Sequence, residues 1–549
     1  MASTTDRELL FTFEFKRDDL PRFRVIRFEG QEAVSRLFRF EIILAAETSD
    51  VDLDAALNAS ATLRIRSRDH STVVPYHGMI AEIEQQGQVD DYHFYRVTLV
   101  PRLWRLGLSY LNDVYLDEYR IPEIIRRILE RNGLRGPDVR MAIKNLDDYR
   151  QRSFICQYEE TDLDFISRWM EQEGLYYFFD HEDDAATGEV LQILDFKEAQ
   201  PENAISLRYT PPENVQTDRQ DSCITAFTCR KTHVPGKVLV QDFNFRKASL
   251  EDNLNSEQNV EGGQYGRYMY YGDNLRTERD AERLARVRSE ELACKATVYH
   301  GMAPAIGVRS GFYLDVSHHH RDDCNGRYWV TSVQHQGSQA GVVLAGRNTA
   351  RNRDEQGTIY ECSFTALVAE QQYRAERLTP RPVISGVLNA IIDSEGEGEH
   401  AELNEYGQYK VQLMYDYPNT TNEKNSSWLR MATPYAGRNN GMHFPLLKGT
   451  EVLIGFVAGN PDQPIILAAV PNSENQNIVR DVNAYCNGVR TVGGNILNMV
   501  DKPDHKAVGI FSPASRSGIY VGTFPLIGQD VSLSDPDADT PVDVLDDLA

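Results

Sequence analysis

Short runs of alternating apolar and polar residues are the most regular pattern in the chain, and they concentrate between residues 380 and 501. One run has Tyr409, Val411, Leu413 and Tyr415 on one side with Lys410, Gln412 and Asp416 on the other, and Val452, Ile454 and Phe456 repeat it. A period of two indicates half-buried β-strands. Turn residues separate the runs, as at Gly459-Asn460-Pro461-Asp462. About five short strands of this kind predict an OB-type barrel.

Strand patterns also fill the first 375 residues, where helical patterns interrupt them. Residues 23–100 alternate in several places, and a strand pair is predicted at 311–314 and 328–333. Apolar stripes at helical spacing predict helices starting near Pro122 and after Thr161 and ending at Gly133 and Gly174, with a third helix over 277–295. The sequence therefore predicts a mainly β chain with helical insertions and two β-barrels in this region.

A series of motifs follows these elements in a fixed order. They are Tyr158–Arg168 and Glu171–Tyr177, then Ser426–Ala432, Gly441–Pro445, Gly449–Ile454 and Gly459–Pro464, and finally Asn487–Thr491 and Gly493–Asn495. Together they resemble the N-terminal hub, the barrel and the neck of VgrG, the spike protein family of the bacterial type VI secretion system. The first motifs also resemble the hub protein of contractile phage tails. Several motifs in order are far more specific than any one of them.

The resemblance divides the chain and implies a function. It implies a phage-hub-like domain over 1–375, an OB-fold domain over 376–475, a neck with the start of a β-helical needle over 476–525, and an acidic tail over 526–549. The implied assembly is a homotrimeric spike that caps the Hcp tube, meets the baseplate, and carries a PAAR-type tip protein with an effector or adaptor. Sheath contraction would drive the spike through the target envelope. Only 507–522 reads as strand after the neck, so the needle is expected to be short or the chain cut.

The resemblance implies structural roles for positions in the barrel and neck. They are Trp428, Arg430, Gly437, Gly441, Gly449, Glu451, Gly459, Pro461, Asp462, Pro464, Arg490, Gly493, Gly494 and Asn495. We expect the glycines at 449, 459, 493 and 494 to serve turns and close chain approach, because glycine has no Cβ. We expect Trp428 to pack in the core or between chains.

Charge and hydropathy narrow the class of protein. The 549 residues are 41% hydrophobic and carry a formal net charge of -24, which would repel nucleic acid and anionic lipid. No apolar run of about 18 residues or more is present, and the first 15 residues lack the layout of a secretory signal. We therefore expect a cytoplasmic protein before firing, which is secreted on contraction without stable membrane insertion.

Candidate chemistry is sparse. Three adjacent histidines, His318, His319 and His320, cannot converge on one ion from a regular strand, so a solvated loop is favoured over a metal site. The acids at 159–164 fit a helix first turn better than a hydrolytic pair. No Gly-x-Ser-x-Gly elbow or phosphate-binding Gly-rich loop is present. We expect no enzymatic activity, no cofactor and no metal.

A physical argument supports the trimer that the resemblance implies. One chain's narrow ribbon of strands cannot cover its own apolar side or pair both its edges, so three chains must supply the missing neighbours. Alternatives stay open: a hub-spike of a phage tail or extracellular contractile injection system, or a non-trimeric carbohydrate-binding or hydrolytic protein using the acidic loops. The acidic tail is either a docking segment or a disordered end.

Overall fold

The alternating patterns of the sequence fold into two units. A computed structural model describes residues 9–68, 71–182, 188–211, 223–248, 254–344, 359–394, 398–414, 427–503, 505–515 and 517–522. The first unit, called the hub unit, comprises the chain up to 386 together with 456–464, and the second comprises the remaining described residues. Tyr415, Asp416, Ser426 and the predicted tail over 526–549 lie outside the described residues.

The strands up to residue 368 all belong to the hub unit. They are β1 (Phe11–Phe15), β2 (Phe23–Ala33), β3 (Arg39–Ala46), β4 (Ser60–Arg66), β5 (Val73–Val89), β6 (Tyr92–Val100), β7 (Tyr110–Tyr119), β8 (Val139–Ala142), β9 (Arg152–Thr161), β10 (Tyr176–His181), β11 (Glu189–Leu194), β12 (Ala204–Tyr209), β13 (Cys223–Ile224), β14 (Ala226–Lys231), β15 (Pro235–Asp242), β16 (Leu254–Asn259), β17 (Tyr265–Tyr271), β18 (Thr297–Ala303), β19 (Tyr313–Ser317), β20 (Gly326–Ser338) and β21 (Ile359–Val368). The described helices are α1 (Leu53–Leu57), α2 (Ile121–Arg131), α3 (Asp162–Glu173), α4 (Glu278–Ala293) and α5 (Ala340–Val343). The protein is therefore mostly β with few helices.

The first barrel of the hub unit is closed. Its pairings run β1-β4-β5-β6-β3-β2 and return from β2 to β1. The alternation of residues 23–100 corresponds to an inner face of this barrel, where Phe40, Ile42, Val97 and Leu99 are all fully buried. Closure leaves this barrel no free sheet edge.

A second group of strands continues from β2 into β20. The predicted pair is confirmed as β19 and β20, with Tyr313 opposite Trp329 and Leu314 opposite Tyr328. β20 also pairs with β21, which pairs with β18 and through it with β14. β19 pairs in turn with β12, and β12 with β13. Only Thr225 separates β13 from β14, and its N–H donates to the Met302 carbonyl of β18 at 2.8 Å. The strands β20-β19-β12-β13/β14-β18-β21 therefore return to β20 as a second ring, where the sequence predicts the second barrel.

Local sequence signals set the ends of the helices. Pro122 lies in the first turn of α2, and Gly133 follows the helix at φ +79°. The Thr161 hydroxyl accepts the Asp164 N–H at 3.0 Å at the start of α3, and Gly174 ends it in the left-handed region. These caps satisfy backbone groups that the helices leave open. All three predicted helices are confirmed.

The later strands form two further sheets. They are β22 (Leu388–Asp393), β23 (Tyr409–Leu413), β24 (Ser427–Leu429), β25 (Glu451–Phe456), β26 (Pro464–Ala469), β27 (Cys486–Arg490), β28 (Ile496–Lys502), β29 (His505–Ser512) and β30 (Ser517–Gly522). The OB sheet has the order β24-β23-β22-β25-β26, and the neck sheet has the order β27-β28-β29-β30. Tyr409, Val411, Val452 and Ile454 are buried, as alternation predicts.

Candidate assembly surfaces

The predicted barrel residues occupy different environments in the OB sheet. Trp428 is half-buried on β24, and the Lys410 ammonium on β23 lies 5.2 Å from its ring centroid. Glu451 on β25 accepts hydrogen bonds from the side-chain amides of Asn389, at 2.8 Å, and Asn472, at 2.9 Å. Gly449 precedes β25 with φ +75°. These contacts brace the sheet, and none of them gathers side chains into a reactive group.

A long exposed loop joins β24 to β25. Within it Gly437 N–H donates to the Asn440 carbonyl at 2.8 Å, and Ala436 forms a bridge with Gly441. A Cβ on Gly437 would lie 2.0 Å from the Asn440 side-chain oxygen, so a larger residue here would require the exposed Asn440 side chain to move. Arg430 lies at the start of the same loop, where its carbonyl accepts the Ile466 N–H at 2.9 Å. The large side chains Tyr435, Met442 and Phe444 are exposed here.

The turn Gly459-Asn460-Pro461-Asp462 belongs to the hub unit. Gly459 has φ +69°, and a Cβ there would lie 2.6 Å from a methyl carbon of Val383, so both the turn and the close approach require glycine. Pro461 and Pro464 flank Asp462, whose carboxylate accepts the Cys156 N–H of β9 at 2.8 Å. The sequence motif therefore positions a buried carboxylate as well as a turn.

Buried charges surround that carboxylate. Arg168 of α3 lies 4.0 Å from Asp462 and donates to Glu160 at 2.8 Å through both Nε and Nη2. Burial raises the pKa of the Glu160 carboxyl, while its hydrogen bond with Arg168 opposes that shift. The Trp169 ring lies between two guanidinium groups, with Arg152 at 4.7 Å and Arg168 at 5.2 Å from its centroid. This arrangement holds structure together, since each charge has its partner within the hub unit.

The predicted neck motif forms the turn between β27 and β28. Thr491 accepts the Gly494 N–H through its carbonyl at 2.9 Å and the Asn495 N–H through its hydroxyl at 3.1 Å. Gly494 has φ +79° and needs glycine, whereas Gly493 lies in the turn without a positive φ. Arg490 ends β27 with its side chain exposed. The predicted neck residues Arg490, Gly493, Gly494 and Asn495 thus belong to one hairpin.

The neck sheet presents an exposed apolar face. In register across the strands, Val489, Leu497, Ile510 and Ile519 form one row. Met499, Val508 and Val521 form a second row beside it. We call these seven residues the neck face. Ile519 and Val521 are each 66% exposed, although their type favours burial.

The sequence predicted strand over 507–522 and an apolar side that one chain's ribbon cannot cover, but it did not say which residues form that side. The available signal was that both alternating sets of 496–500 contain apolar residues, Leu497 and Met499 on one side and Ile496 and Val500 on the other. A strand that is apolar on both faces needs cover on both.

The histidine triplet is only partly as expected. His318 and His320 are exposed, in keeping with a solvated loop. For His319 that interpretation is wrong: it is buried, and its Nε2 lies 3.1 Å from the Phe227 carbonyl. The cause is local packing, since the His319 ring lies 4.5 Å from that of Tyr209. Over the described part of the chain, no three or more His, Cys, Asp or Glu side chains are grouped to hold a metal ion. None of the described helices is both long and apolar enough to cross a membrane.

Comparison with known families matches both units. The family described as phage tail baseplate hub (GPD) matches residues 31–341. The family described as type VI secretion system/phage-baseplate injector OB domain matches residues 403–470. The match to the hub family alone spans more than half of the chain.

Individual relatives agree with the family matches. The type VI secretion system spike protein VgrG1b of Pseudomonas aeruginosa is 31% identical over 453 residues, which cover 82% of this chain and 58% of that protein. This chain thus spans less than two thirds of that relative's length.

Solved structures show the same fold. The E. coli c3393 protein, described as a type VI secretion component similar to the T4 tail proteins gp27 and gp5, has a TM-score of 0.59 at 22% identity, covering 84% of this chain and 99% of that one. A chain of the Francisella PdpA-VgrG complex has a TM-score of 0.61 at 9% identity, covering 91% of this chain and 76% of that one. At these identities the likeness establishes a hub-like fold with an OB domain.

Proposed function

The chain belongs to the VgrG family of type VI secretion spike proteins, and on that premise we propose that it forms a homotrimeric spike. In this proposal the hub caps the Hcp tube next to the baseplate, and the neck starts a short β-helical needle. A PAAR-type tip protein with an effector or adaptor joins at the tip. Sheath contraction drives the assembly from the cytoplasm through the target envelope.

The neck face is the observation that carries the trimer. One chain cannot bury it, because the described neck sheet has only the four strands β27 to β30 and its two outer strands each have a free edge. Around a threefold axis, each copy's neck face would cover its neighbours', and edge strands of adjacent copies would pair. Burial of apolar area would then stabilise the trimer.

The proposed role is mechanical. In this role Asp462 and Glu451 brace the fold through the hydrogen bonds that they accept, and neither has to activate a substrate. Energy for puncture would come from sheath contraction, and the spike need only stay folded and trimeric. We therefore propose that the chain acts without catalysis, cofactor or metal.

Light scattering after size exclusion tests the trimer. The full chain should have three times its 62.4 kDa mass. The double variant Leu497→Glu/Ile510→Glu places charges opposite each other on the neck face, and we expect it to fall to the mass of one chain because burying unpaired carboxylates is costly.

Val482→Glu is the matched control. Val482 is also an exposed apolar residue of the second unit, 71% exposed, but lies outside the neck face. The Val482→Glu variant should remain trimeric. A well-folded wild-type chain that runs as a monomer, or a double variant that remains trimeric, contradicts the proposal.

A further inference from the structure

The loop that joins β24 to β25 carries an ordered but exposed finger. We call residues 433–444 the OB finger. Its two arms are joined by a hydrogen bond from the Met442 N–H to the Tyr435 carbonyl at 2.9 Å, and the Thr433 hydroxyl donates to the same carbonyl at 3.2 Å. The finger keeps this shape without packing against a core, so the large side chains of Tyr435, Met442 and Phe444 remain exposed.

Arg438 carries the only formal charge of the OB finger. It follows Gly437 at the tip, inside the turn that the Gly437 N–H closes on the Asn440 carbonyl. No other Arg and no Lys, Asp or Glu occurs over 433–444. The Arg438 side chain is exposed and pairs with no residue of the described chain. Interfaces between proteins favour aromatic residues, Met and Arg over the rest of the surface, so the OB finger has the composition of a docking element.

The loop between β22 and β23 has the opposite charge. We call residues 398–407 the acidic strip, in which no Lys or Arg occurs. None of its three exposed carboxylates has an ion-pair or hydrogen-bond partner among the described residues. They belong to Glu399, Glu402 and Glu405. Leu403 and Tyr406 are exposed beside them. The acidic strip therefore complements the OB finger in charge and also offers it apolar contact.

The acidic strip is held in place within its own chain. The Ala401 N–H donates to the Leu446 carbonyl at 3.1 Å, and the Asn404 side-chain oxygen accepts the Tyr406 N–H at 3.0 Å. Although Leu446 follows the finger closely in the chain, Arg438 forms no ion pair with the described residues of the strip. The opposite charges of finger and strip are therefore available to another molecule.

We propose that the OB finger of one copy docks on the acidic strip of the next copy. Arg438 pairs there with the carboxylates of the strip, and the exposed apolar side chains of the finger pack against Leu403 and Tyr406. This inference rests on the proposed trimer, and it adds a contact between OB domains that does not involve the neck face.

A second copy is the occupant that the charges favour. Each chain carries one finger and one strip, so the contact is head-to-tail, and head-to-tail contacts close into a ring when the rotation between copies allows it. Each chain has a formal net charge of -24, so the copies repel one another at long range. A local contact between opposite charges opposes that repulsion and fixes the register of the copies.

Dissociation of the full-chain trimer on dilution tests this contact. Mass photometry would give the fraction of trimers over a range of chain concentrations. Arg438→Glu places like charges across the contact, so we expect the dissociation midpoint to rise at least about tenfold. A monomeric wild type overturns both the trimer and this contact. A wild-type trimer that dissociates at the same concentration as Arg438→Glu overturns the contact alone.

Reversing the charge of the strip separates pairing from folding. Glu402→Arg/Glu405→Arg should weaken the trimer as Arg438→Glu does, because like charges again face each other. The triple variant restores opposite charges, and its dissociation midpoint should return to within about threefold of the wild-type value. If the triple variant shows no recovery, the finger does not meet the strip and the proposal is wrong.

Two charge reversals outside the contact are the matched controls. Glu474→Arg changes an exposed position of the second unit, and Lys231→Glu changes an exposed position of the hub unit. Both variants should dissociate at the wild-type concentration. If they weaken the trimer as much as Arg438→Glu does, net charge explains the effect and the contact is overturned.

Thermal unfolding of the diluted, monomeric chain distinguishes a contact within one chain. Arg438 has no partner among the described residues of its own chain, so Arg438→Glu should leave the unfolding midpoint of the monomer unchanged. A lower midpoint for the monomer together with unchanged dissociation of the trimer would mean that the finger binds the strip of its own chain, which contradicts the proposal.

Discussion

The hub barrel and the neck sheet use the same alternation of side chains with opposite results. In the barrel, Phe40 and Ile42 are fully buried by strands of their own chain, whereas on the neck sheet Ile519 and Val521 remain 66% exposed. The barrel closes on itself, while the described strands of the neck sheet leave two edges without a neighbouring strand. Alternation predicts that a strand has an apolar face. Whether the same chain or another one covers that face depends on the number of strands and on their closure.

The largest expected effect on the free energy of unfolding comes from truncating a side chain in the hub core. Trp169→Ala should lower the free energy of unfolding by about 3–5 kcal/mol, because it leaves a cavity and removes the ring between Arg152 and Arg168. Urea unfolding followed by circular dichroism would measure this loss, and it should not depend on protein concentration.

Leu497→Ala on the neck face is the matched comparison. If other copies cover this residue, the loss in the free energy of unfolding caused by the substitution should depend on protein concentration, because subunit association is linked to folding. Concentration dependence for Trp169→Ala, or its absence for Leu497→Ala, would break the contrast between the two regions.

A smaller loss in the free energy of unfolding should follow from removing the buried carboxylate of the hub turn. Asp462→Ala leaves the Cys156 N–H without its acceptor and removes a charge 4.0 Å from Arg168, at a cost of about 1–3 kcal/mol. Asp462→Asn keeps an acceptor oxygen and should cost less. Asp323→Ala, at an exposed position, should leave the same urea midpoint unchanged. An equal loss in the Ala and Asn variants would mean that the charge, not the hydrogen bond, is what Asp462 supplies.

The smallest expected effect is a pH dependence of the hub unit. Burial, and then the charges of Arg309 and His77, lowers the pKa of His181 well below its usual 6.5. The unfolded chain would take up a proton near pH 6.5 and the folded chain would not. The free energy of unfolding should therefore fall below about pH 6.5, by roughly 1.4 kcal/mol per pH unit.

His181→Gln checks this dependence. Glutamine keeps an acceptor for the His77 N–H, which His181 Nδ1 accepts at 3.1 Å, but it does not titrate. The variant should lose part of the slope between pH 6.5 and 5. An unchanged slope would assign the pH dependence to other groups.

Much of the local structure was predictable because local rules decide it. Thr161 and Gly174 bound α3 as their side-chain chemistry and lack of a Cβ suggest, and Gly449, Gly459 and Gly494 have the positive φ expected of turn glycines. Gly493 does not, since one left-handed residue is enough for that turn. The roles of the barrel and neck residues in assembly stay predictions.

Contacts between distant parts of the chain were not predictable. Nothing in the turn motif indicated that Asp462 would accept the N–H of Cys156, 306 positions away. The burial of His319 against Tyr209 was missed for the same reason. Such contacts depend on which strands become neighbours, and a pattern within one segment carries no information about that.

The amino-acid order alone determined the mainly β character, the helix ends and the motifs that place the chain in its family, because propensity, capping and alternation act within a few residues. Tertiary structure alone decided which apolar faces were covered. It closed the rings of strands in the hub and left the neck face open, since burial is a property of the neighbours that a segment meets.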